Sequence, residues 1–380
     1  MNLLFLTDGI TPFVKGGMQR HSQLAIESLA CRGHHITVYH YTSPGELVKG
    51  EEAFSNDALN NITLVRFDYM DKGRLPGHYI KAQKEISQRY LDQIKRELTP
   101  FDFIYTKGFM GWALLSNRAA LKTKHLVGVK FHGMNMFQKQ PGLKSFFSKY
   151  MLRPTTREIL KKADYVFSYG GKISDIIKAE CSTPVLEVAT GVDANWLRVS
   201  PITTNTRRKF LFMGRFDRVK GLPELHRALK LLISKRKDWE FHFIGPIPVD
   251  EQLEVEQTIY HGAIYDQEKL KDIIQGFDVL VNCSISEGMP NVILEAMASG
   301  LAIIATDVGA SSVLVKNQVN GLLVSEARVG NIFRSLVTAL EINDLELLNW
   351  KKESLKLAQD LTWDSLGPKL EESIQKCILA

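Results

Sequence analysis

Cysteine pairs and long apolar runs are scarce in this sequence. Its four cysteines are Cys31, Cys181, Cys283 and Cys377. They are scattered and form no C-x-x-C pair, which argues against a disulfide scaffold or a zinc site and indicates a reducing compartment. No apolar window approaches the roughly 18 residues that a membrane-spanning helix needs. The N-terminus has no basic region before its short apolar stretch, so we expect a first strand there and no signal peptide.

Familiar cofactor signatures are also missing. The chain has no G-x-G-x-x-G followed by an acid about twenty residues later, which disfavours a nicotinamide-dependent dehydrogenase. It has no G-K-[ST], so a P-loop is excluded. None of the ten histidines is paired with carboxylates at ligand spacing, so no metal is expected.

The composition that remains is that of an ordinary globular protein with one uneven property, its charge. The 380 residues suffice for two domains, and 44% of them are hydrophobic. The net charge of +6 is concentrated in residues 101–150, where eight basic residues face one acid, Asp102. A field this local favours a specific anionic partner over general solubility.

Strands and helices alternate along the whole chain, which predicts an α/β fold with parallel sheets covered by helices on both faces. The pattern restarts after the polar segment "RVSPITTNTRRK" (198–209). We therefore expect two doubly wound, Rossmann-like domains facing across a cleft, with boundaries at 1–198 and 199–362. The terminal helix, 363–380, follows a domain that is already complete and is expected to pack back onto the first one.

Glu287 and Glu295 frame the most informative stretch, "EGMPNVILEAMASG". It follows the apolar strand "VLVNCS", and open α/β sheets bind ligands at the carboxyl ends of their strands. Pro290 suits the first helical turn, and the free N–H groups after it form an anion site. Glu295, one turn into the helix, is placed for ribose hydroxyls, and Glu287 for hydroxyls of a sugar beyond the phosphates. The alternative is a solvated loop acid beside an ordinary helix glutamate.

Three shorter motifs also follow strands. Gly214, Arg215 and Lys220 stand in "GRFDRVKG", where two cations suit a diphosphate, although a solvated basic loop would look the same. The paired Gly16 and Gly17 precede a helix and allow close approach to a ligand or simply a flexible loop. His132, before Gly133, can hydrogen-bond a substrate hydroxyl, although a lone histidine is more often structural.

Taken together, these motifs resemble glycosyltransferase family 4, the retaining nucleotide-sugar enzymes of the GT-B fold. The matching pieces are "GG" (16–17), "HG" (132–133), "GRFDRVKG" (214–221), "EGMPNVILEAMASG" (287–300) and "LTWDSL" (361–366). They run nearly the whole chain, and the two-glutamate element is the specific one. Two segments depart from the family pattern, "ATGVD" (189–193) and "SYGGKISD" (168–175), and no role is assigned to them.

The resemblance implies a role for each matching residue. Arg215 and Lys220, beside Gly214, would hold the donor diphosphate, and Glu295 the ribose. Glu287 and His132 would contact the donor sugar and are the candidate catalytic residues. The remaining candidate binding residues are Gly16, Gly17, Gly288, Met289, Pro290, Asn291 and Val292.

The implied reaction is transfer from a nucleoside-diphosphate sugar to an acceptor hydroxyl with retention at the anomeric carbon. The donor is a co-substrate, its nucleotide being UDP or GDP, and no further cofactor or metal is expected. A glycoside hydrolase would need no phosphate site. A non-catalytic sugar-nucleotide-binding relative and a nucleotide-sugar epimerase of the same fold remain open.

The basic segment 137–162 predicts the acceptor class. It carries Lys139, Lys144, Lys149, Arg153, Arg157, Lys161 and Lys162, with Phe146, Phe147, Tyr150, Met151 and Leu152 among them. Cations mixed with aromatic and apolar residues suit an anionic membrane surface. The alternative is a solvated helical hairpin with core aromatics. We expect a cytoplasmic protein, peripheral on the inner membrane face, that takes a lipid-linked or cell-surface glycan precursor and no nucleic acid.

Overall fold

The computed structural model describes residues 1–14, 16–45, 47–69, 78–97, 100–121 and 125–380, and the backbone alone of residues 120 and 143–149. The chain divides into two compact units. The first comprises Met1–Phe137, Leu143–Thr190 and Trp363–Ala380, and the second comprises Gln138–Gly142 and Gly191–Thr362.

The first unit is built on a seven-stranded parallel sheet with the order β3-β2-β1-β4-β5-β6-β7. Its strands are β1 (Asn2–Leu6), β2 (His35–Thr42), β3 (Ile62–Asp68), β4 (Phe103–Lys107), β5 (Val127–Lys130), β6 (Tyr165–Ser168) and β7 (Val185–Glu187). Its helices are α1 (Gly17–Cys31), α2 (Asn56–Leu59), α3 (His78–Ile94), α4 (Trp112–Ser116), α5 (Leu143–Lys162), α6 (Gly171–Glu180) and the terminal α13 (Trp363–Leu379).

The second unit has a six-stranded parallel sheet with the order β10-β9-β8-β11-β12-β13. Its strands are β8 (Arg208–Met213), β9 (Trp239–Ile244), β10 (Thr258–Tyr260), β11 (Val279–Asn282), β12 (Ala302–Thr306) and β13 (Gly321–Val324). Its helices are α7 (Leu222–Ile233), α8 (Gln267–Ile274), α9 (Asn291–Ala298), α10 (Ser311–Leu314), α11 (Val329–Glu341) and α12 (Asp344–Gln359).

The two parallel sheets confirm the predicted fold class. Their central strands are apolar runs because helices cover both faces of a parallel sheet, and β1, β4, β11 and β12 are buried throughout or nearly so. The strand order reverses between β1 and β4 in the first unit, and between β8 and β11 in the second. Such a reversal leaves a crevice at the carboxyl ends of the strands, where open α/β sheets bind ligands.

The boundary between the units lies earlier than the predicted 198/199. Residues 191–198 belong to the second unit. The backbone N–H of Val192 donates to the carbonyl of Leu361 over 2.9 Å, and Lys271 Nζ donates to the carbonyl of Asn195 over 3.4 Å. The polar segment after Arg198 is likewise bonded to the second unit, so it packs there and is not a free linker.

Candidate functional site

The candidate donor site lies in the second unit, at the reversal of strand order. Strands β8 and β11 are paired in parallel, so the loops after them leave the same edge of the sheet side by side. The first loop carries Gly214, Arg215 and Lys220, and the second carries Glu287 to Pro290. The topology therefore brings together two motifs that are about seventy residues apart in the sequence.

Lys220 and Glu287 form an ion pair that joins the two loops of this site. Lys220 Nζ lies 2.6 Å from Glu287 Oε1, and Ser284 Oγ donates to the same oxygen over 2.6 Å. Arg215 is exposed. The sequence motifs placed Lys220 on the diphosphate and Glu287 on the sugar, and they did not predict that the two side chains bind each other.

Helix α9 starts at Asn291, at the position where the sequence predicts an anion site. Its N-cap is Pro290, and no side chain caps the helix. Since the first N–H groups of a helix have no partner within it, those of Asn291 and Val292 are placed for an anion, with the positive end of the helix dipole. Met289 and Pro290 are buried, and Glu295 is half-buried one turn into the helix.

The backbone of the Glu287 loop is held from two sides. Gln138, in the short segment that belongs to the second unit, donates its Nε2 to the Glu287 carbonyl over 2.7 Å and faces the Glu287 N–H with Oε1 at 3.4 Å. On the other side, Ala310 N donates to the Gly288 carbonyl over 2.7 Å. Gly309 has a φ of 58°, and a Cβ there would lie 2.4 Å from the Glu287 carbonyl oxygen, so only glycine fits.

A second cluster lies in the first unit, again where the strand order reverses. Lys107 and Lys130 end the paired strands β4 and β5 as register partners, and both are fully buried. Lys107 Nζ lies 3.4 Å from His21 Nδ1 and 3.4 Å from His132 Nε2. Lys130 Nζ donates to the Val188 carbonyl over 2.7 Å.

His132 is half-buried against this cluster. Its Nδ1 lies 2.5 Å from the Tyr169 hydroxyl, so both ring nitrogens face groups of the protein itself. Burial lowers the pKa of His132 well below its ordinary value, and the positive charges of Lys107 and Lys130 lower it further. The imidazole is therefore neutral at pH 7, and its contact with a donor sugar stays a prediction.

The electrostatics of Lys107 and Asp8 follow from the same burial. Burial lowers the pKa of Lys107 to about 7, and the opposing effect of Asp8 is smaller. Burial raises the pKa of Asp8, although Lys107 acts against the shift. Asp8 follows β1 and accepts a hydrogen bond from Gln19 Nε2 over 3.1 Å.

Gly16 and Gly17 stand at the start of α1, close in sequence to Gln19. Gly16 is the N-cap of the helix, which has no side-chain cap, and Arg20 N donates to its carbonyl over 3.0 Å. A Cβ on Gly16 would lie 2.3 Å from Gln19 Oε1. Lys15, directly before these glycines, lies outside the described residues.

Sequence reasoning missed Lys107, Lys130 and Tyr169. A signal was present for the lysines, because each ends an otherwise apolar strand, "FIYTK" and "VGVK". Tyr169 lies in "SYGGKISD", the segment to which the motif comparison assigned no role. His21 lies inside α1, and only the fold brings it beside His132, with ring centroids 5.0 Å apart.

The basic surface on α5 is described in part. Tyr150 and Met151 are each 48% exposed. Arg153 lies 4.7 Å from the Tyr150 ring centroid, and Arg157 pairs with Glu180 over 2.5 Å.

The remaining lysines of segment 137–162 differ in their partners and exposure. Lys162 pairs with Glu158 over 2.7 Å, Lys139 pairs with Glu326 in the second unit over 2.6 Å, and Lys161 is exposed. The side chains of Lys144, Phe146, Phe147 and Lys149 lie outside the described residues. Fewer cations are therefore unpaired than the sequence count suggests.

In the described part of the chain, no helix is both long and apolar enough to cross a membrane. Within the same residues, no group of three or more His, Cys, Asp or Glu side chains is arranged to hold a metal ion.

Comparison with known proteins shows which family the second unit resembles. Residues 207–341, which include Arg215, Lys220, Glu287 and Glu295, match the family Glycosyl transferases group 1. This part of the chain is similar to the group 1 glycosyltransferases. The predicted resemblance to glycosyltransferases is thereby confirmed over these residues, while the assignment to family 4 stays a prediction.

Two relatives of known name are similar to this chain over very different lengths. The putative teichuronic acid biosynthesis glycosyltransferase TuaC of Bacillus subtilis (strain 168) is 34% identical over 113 residues, which are 30% of this chain and only 28% of the relative. A phosphatidyl-myo-inositol mannosyltransferase of Mycolicibacterium smegmatis is 23% identical over 355 residues, 87% of this chain and 83% of the relative.

A solved structure extends the likeness to the whole fold. The sucrose-phosphate synthase of Thermosynechococcus elongatus superposes with a TM-score of 0.79 at 16% identity and covers 99% of this chain and 98% of its own. This likeness confirms the GT-B fold that the sequence resemblance implied.

Proposed function

We propose that the chain is a retaining glycosyltransferase that moves a sugar from a nucleoside-diphosphate sugar to an acceptor hydroxyl. The observation that carries the proposal is the meeting of Lys220, Glu287 and the uncapped start of α9 at one edge of the second sheet. A cation and a helix N-terminus suit a diphosphate, and a carboxylate beside them suits sugar hydroxyls. The match of residues 207–341 to group 1 glycosyltransferases supports it.

In the proposed reaction, the bond from the anomeric carbon to the diphosphate oxygen breaks and a bond to the acceptor oxygen forms on the same face. The proton of the acceptor hydroxyl passes to the departing diphosphate. Arg215, Lys220 and the α9 N-terminus stabilise the negative charge that develops on the leaving group. Glu287 and Glu295 bind hydroxyls of the sugar and the ribose. No metal or further cofactor enters the proposed step, and the nucleotide is UDP or GDP.

We further propose a lipid-linked or cell-surface glycan precursor as the acceptor, bound at an anionic membrane surface by the α5 region. The exposed Tyr150 and Met151 beside Arg153 support this, since mixed apolar and basic surfaces favour anionic interfaces. One relative is named a phosphatidyl-myo-inositol mannosyltransferase, and another is named a putative teichuronic acid biosynthesis glycosyltransferase.

The test of the function begins with nucleotide binding. In a thermal-shift panel of UDP, GDP and their sugar conjugates, a ligand at about 100 times its Kd adds roughly 2.7 kcal/mol of stability. Incubation of the stabilising donor with lipid-linked acceptors, and with no acceptor, separates transfer from epimerisation. A chain that no nucleotide stabilises would contradict the proposal.

The Glu287→Ala variant tests the assignment of the sugar contact. We expect it to fold, to bind the nucleoside diphosphate and to lose most transfer, because lost hydrogen bonds to the sugar should cost about 2–4 kcal/mol in the transition state. The measurement is kcat/KM with the identified donor, alongside the melting temperature. Full activity in the folded variant would remove Glu287 from the site.

A further inference from the structure

The loops after β8 and β11 are hydrogen-bonded to each other. Ile285 N donates to the Val219 carbonyl over 2.7 Å, and Cys283 Sγ lies 3.4 Å from the Lys220 carbonyl oxygen. Gly221 has a φ of 70°, and a Cβ there would lie 2.1 Å from the Cys283 carbonyl oxygen. The backbone of Lys220 is therefore fixed against the end of β11.

The Glu287 carboxylate is fixed equally well. Gln138 donates to the backbone carbonyl of Glu287, and Ala310 N donates to the carbonyl of the neighbouring Gly288. The carboxylate itself accepts a hydrogen bond from Ser284 Oγ at Oε1. The side chains of Lys220 and Glu287 are 23% and 13% exposed. Their ion pair is thus a contact between two positioned groups and not between two flexible surface side chains.

This ion pair places the two proposed ligand contacts in competition. A diphosphate that takes Lys220 must draw the ammonium away from Glu287, and it leaves a carboxylate beside a new anion. An intact donor offers sugar hydroxyls to that carboxylate in return. A free nucleoside diphosphate has no sugar and offers none.

We propose that Glu287 makes the site discriminate between the intact nucleoside-diphosphate sugar and the free nucleoside diphosphate, by competing with the diphosphate for Lys220. The inference rests on the proposed function and adds to it a specificity role. The spent nucleoside diphosphate is bound weakly because Glu287 reclaims Lys220, so the pair also favours product release.

Calorimetry on the full chain tests the competition. UDP, GDP and their sugar conjugates are titrated into the wild type, Glu287→Gln, Lys220→Met and the double variant. We expect Glu287→Gln to bind the nucleoside diphosphate about five- to tenfold more tightly than the wild type, because the carboxylate that competes with the diphosphate for the Lys220 ammonium is removed. Its preference for the intact donor over the diphosphate should fall. In the Lys220→Met background, the same change should bring a smaller gain, because only the repulsion between the carboxylate and the diphosphate is removed and no ammonium is set free.

Glu224→Gln is the matched control. Glu224 lies at the start of α7 and pairs with Arg218, so its removal also subtracts one negative charge near the loop without touching the Lys220–Glu287 pair. It should leave the affinity for the diphosphate unchanged. An equal gain in Glu224→Gln would assign the effect to the general field and overturn the competition.

A second variant and two further outcomes keep the proposed competition testable. Glu287→Ala removes the same charge and replaces Glu287→Gln should the latter fail to fold. A diphosphate affinity that neither folded variant raises overturns this inference alone. No binding of UDP or GDP to the wild type overturns the proposed function and this inference together.

Discussion

At the scale of single residues, Arg215 and Lys220 are proposed to bind one diphosphate, and the two side chains differ in their present contacts. Arg215 is exposed, whereas Lys220 begins in an ion pair with Glu287. We expect each change to alanine to weaken diphosphate binding by about 1.5–3 kcal/mol, as for charge-assisted hydrogen bonds. The double change should cost less than the sum, because both charges act on the same group. Calorimetry with the matching nucleoside diphosphate measures this, and unchanged affinity in both single variants would refute it.

The lowered pKa of Lys107 predicts how the free energy of unfolding changes with pH. Its pKa is lowered to about 7 in the folded chain, whereas a lysine in the unfolded chain titrates near 10.5. Between these values the unfolded state binds more protons, so the free energy of unfolding should rise with pH from about 7 towards 10. For one proton the slope is at most about 1.4 kcal/mol per pH unit.

The measurement for Lys107 is denaturant unfolding at pH 7, 8 and 9 for the wild type and Lys107→Met. The variant should lose this part of the slope. Lys269→Met, at an exposed lysine on α8, is the control and should keep it. Equal slopes in the wild type and Lys107→Met would show that Lys107 stays protonated through this range.

Prediction from the sequence was most successful where a motif is local. The position of Pro290 directly before α9, with Glu295 one turn inside the helix, follows from a continuous stretch and its turn chemistry. The Lys220–Glu287 pair depends on which strands are neighbours, and periodicity does not reveal strand order. The cluster around Lys107 and His132 depends in addition on His21, which the sequence shows only as a polar position within an amphipathic helix.

At the scale of elements, local patterns predicted the long elements better than the short ones. The apolar run "LAIIAT" (301–306) predicts β12, and the amphipathic stretch "LPELHRALKLLISKR" (222–236) predicts α7, each within a few residues, because both patterns are sustained. Strands β7 and β10 have three residues each and no predicted counterpart. Such short edge strands are defined by pairing to β6 and β9, which is a tertiary event.

Helix α5 is predicted to bind an anionic membrane surface. We expect the chain to co-sediment with anionic vesicles at low salt, less at high salt, and poorly with neutral vesicles. Changing Tyr150 and Met151 to serine should reduce pelleting, because their exposed apolar surface would enter the interface. Tyr265→Ser, at a tyrosine 85% exposed in the second unit, is the control and should leave pelleting unchanged. No pelleting of the wild type with anionic vesicles at low salt would favour a soluble acceptor.

At the scale of the whole molecule, each unit has its own core, and the second depends on a buried ion pair. Lys351 Nζ, on α12, donates to Asp278 Oδ1 over 3.0 Å, to the Phe277 carbonyl over 2.9 Å and to the Thr203 carbonyl over 2.7 Å. Asp278 also accepts hydrogen bonds from the backbone N–H groups of Asn205 and Lys209. The pair thus ties α12 and the segment before β8 to the start of β11.

Removing the lysine of this pair should destabilise one unit more than the other. Lys351→Met leaves Asp278 buried without its cation, which typically costs about 3–5 kcal/mol. Because the contacts of Lys351 named above lie within the second unit, we expect amide hydrogen exchange to accelerate in β8, β11 and α12 and to stay near wild-type rates in β1 and β4. The exposed Lys352→Met is the neighbouring control. Equal acceleration in both sheets would show instead that the two units unfold as one cooperative body.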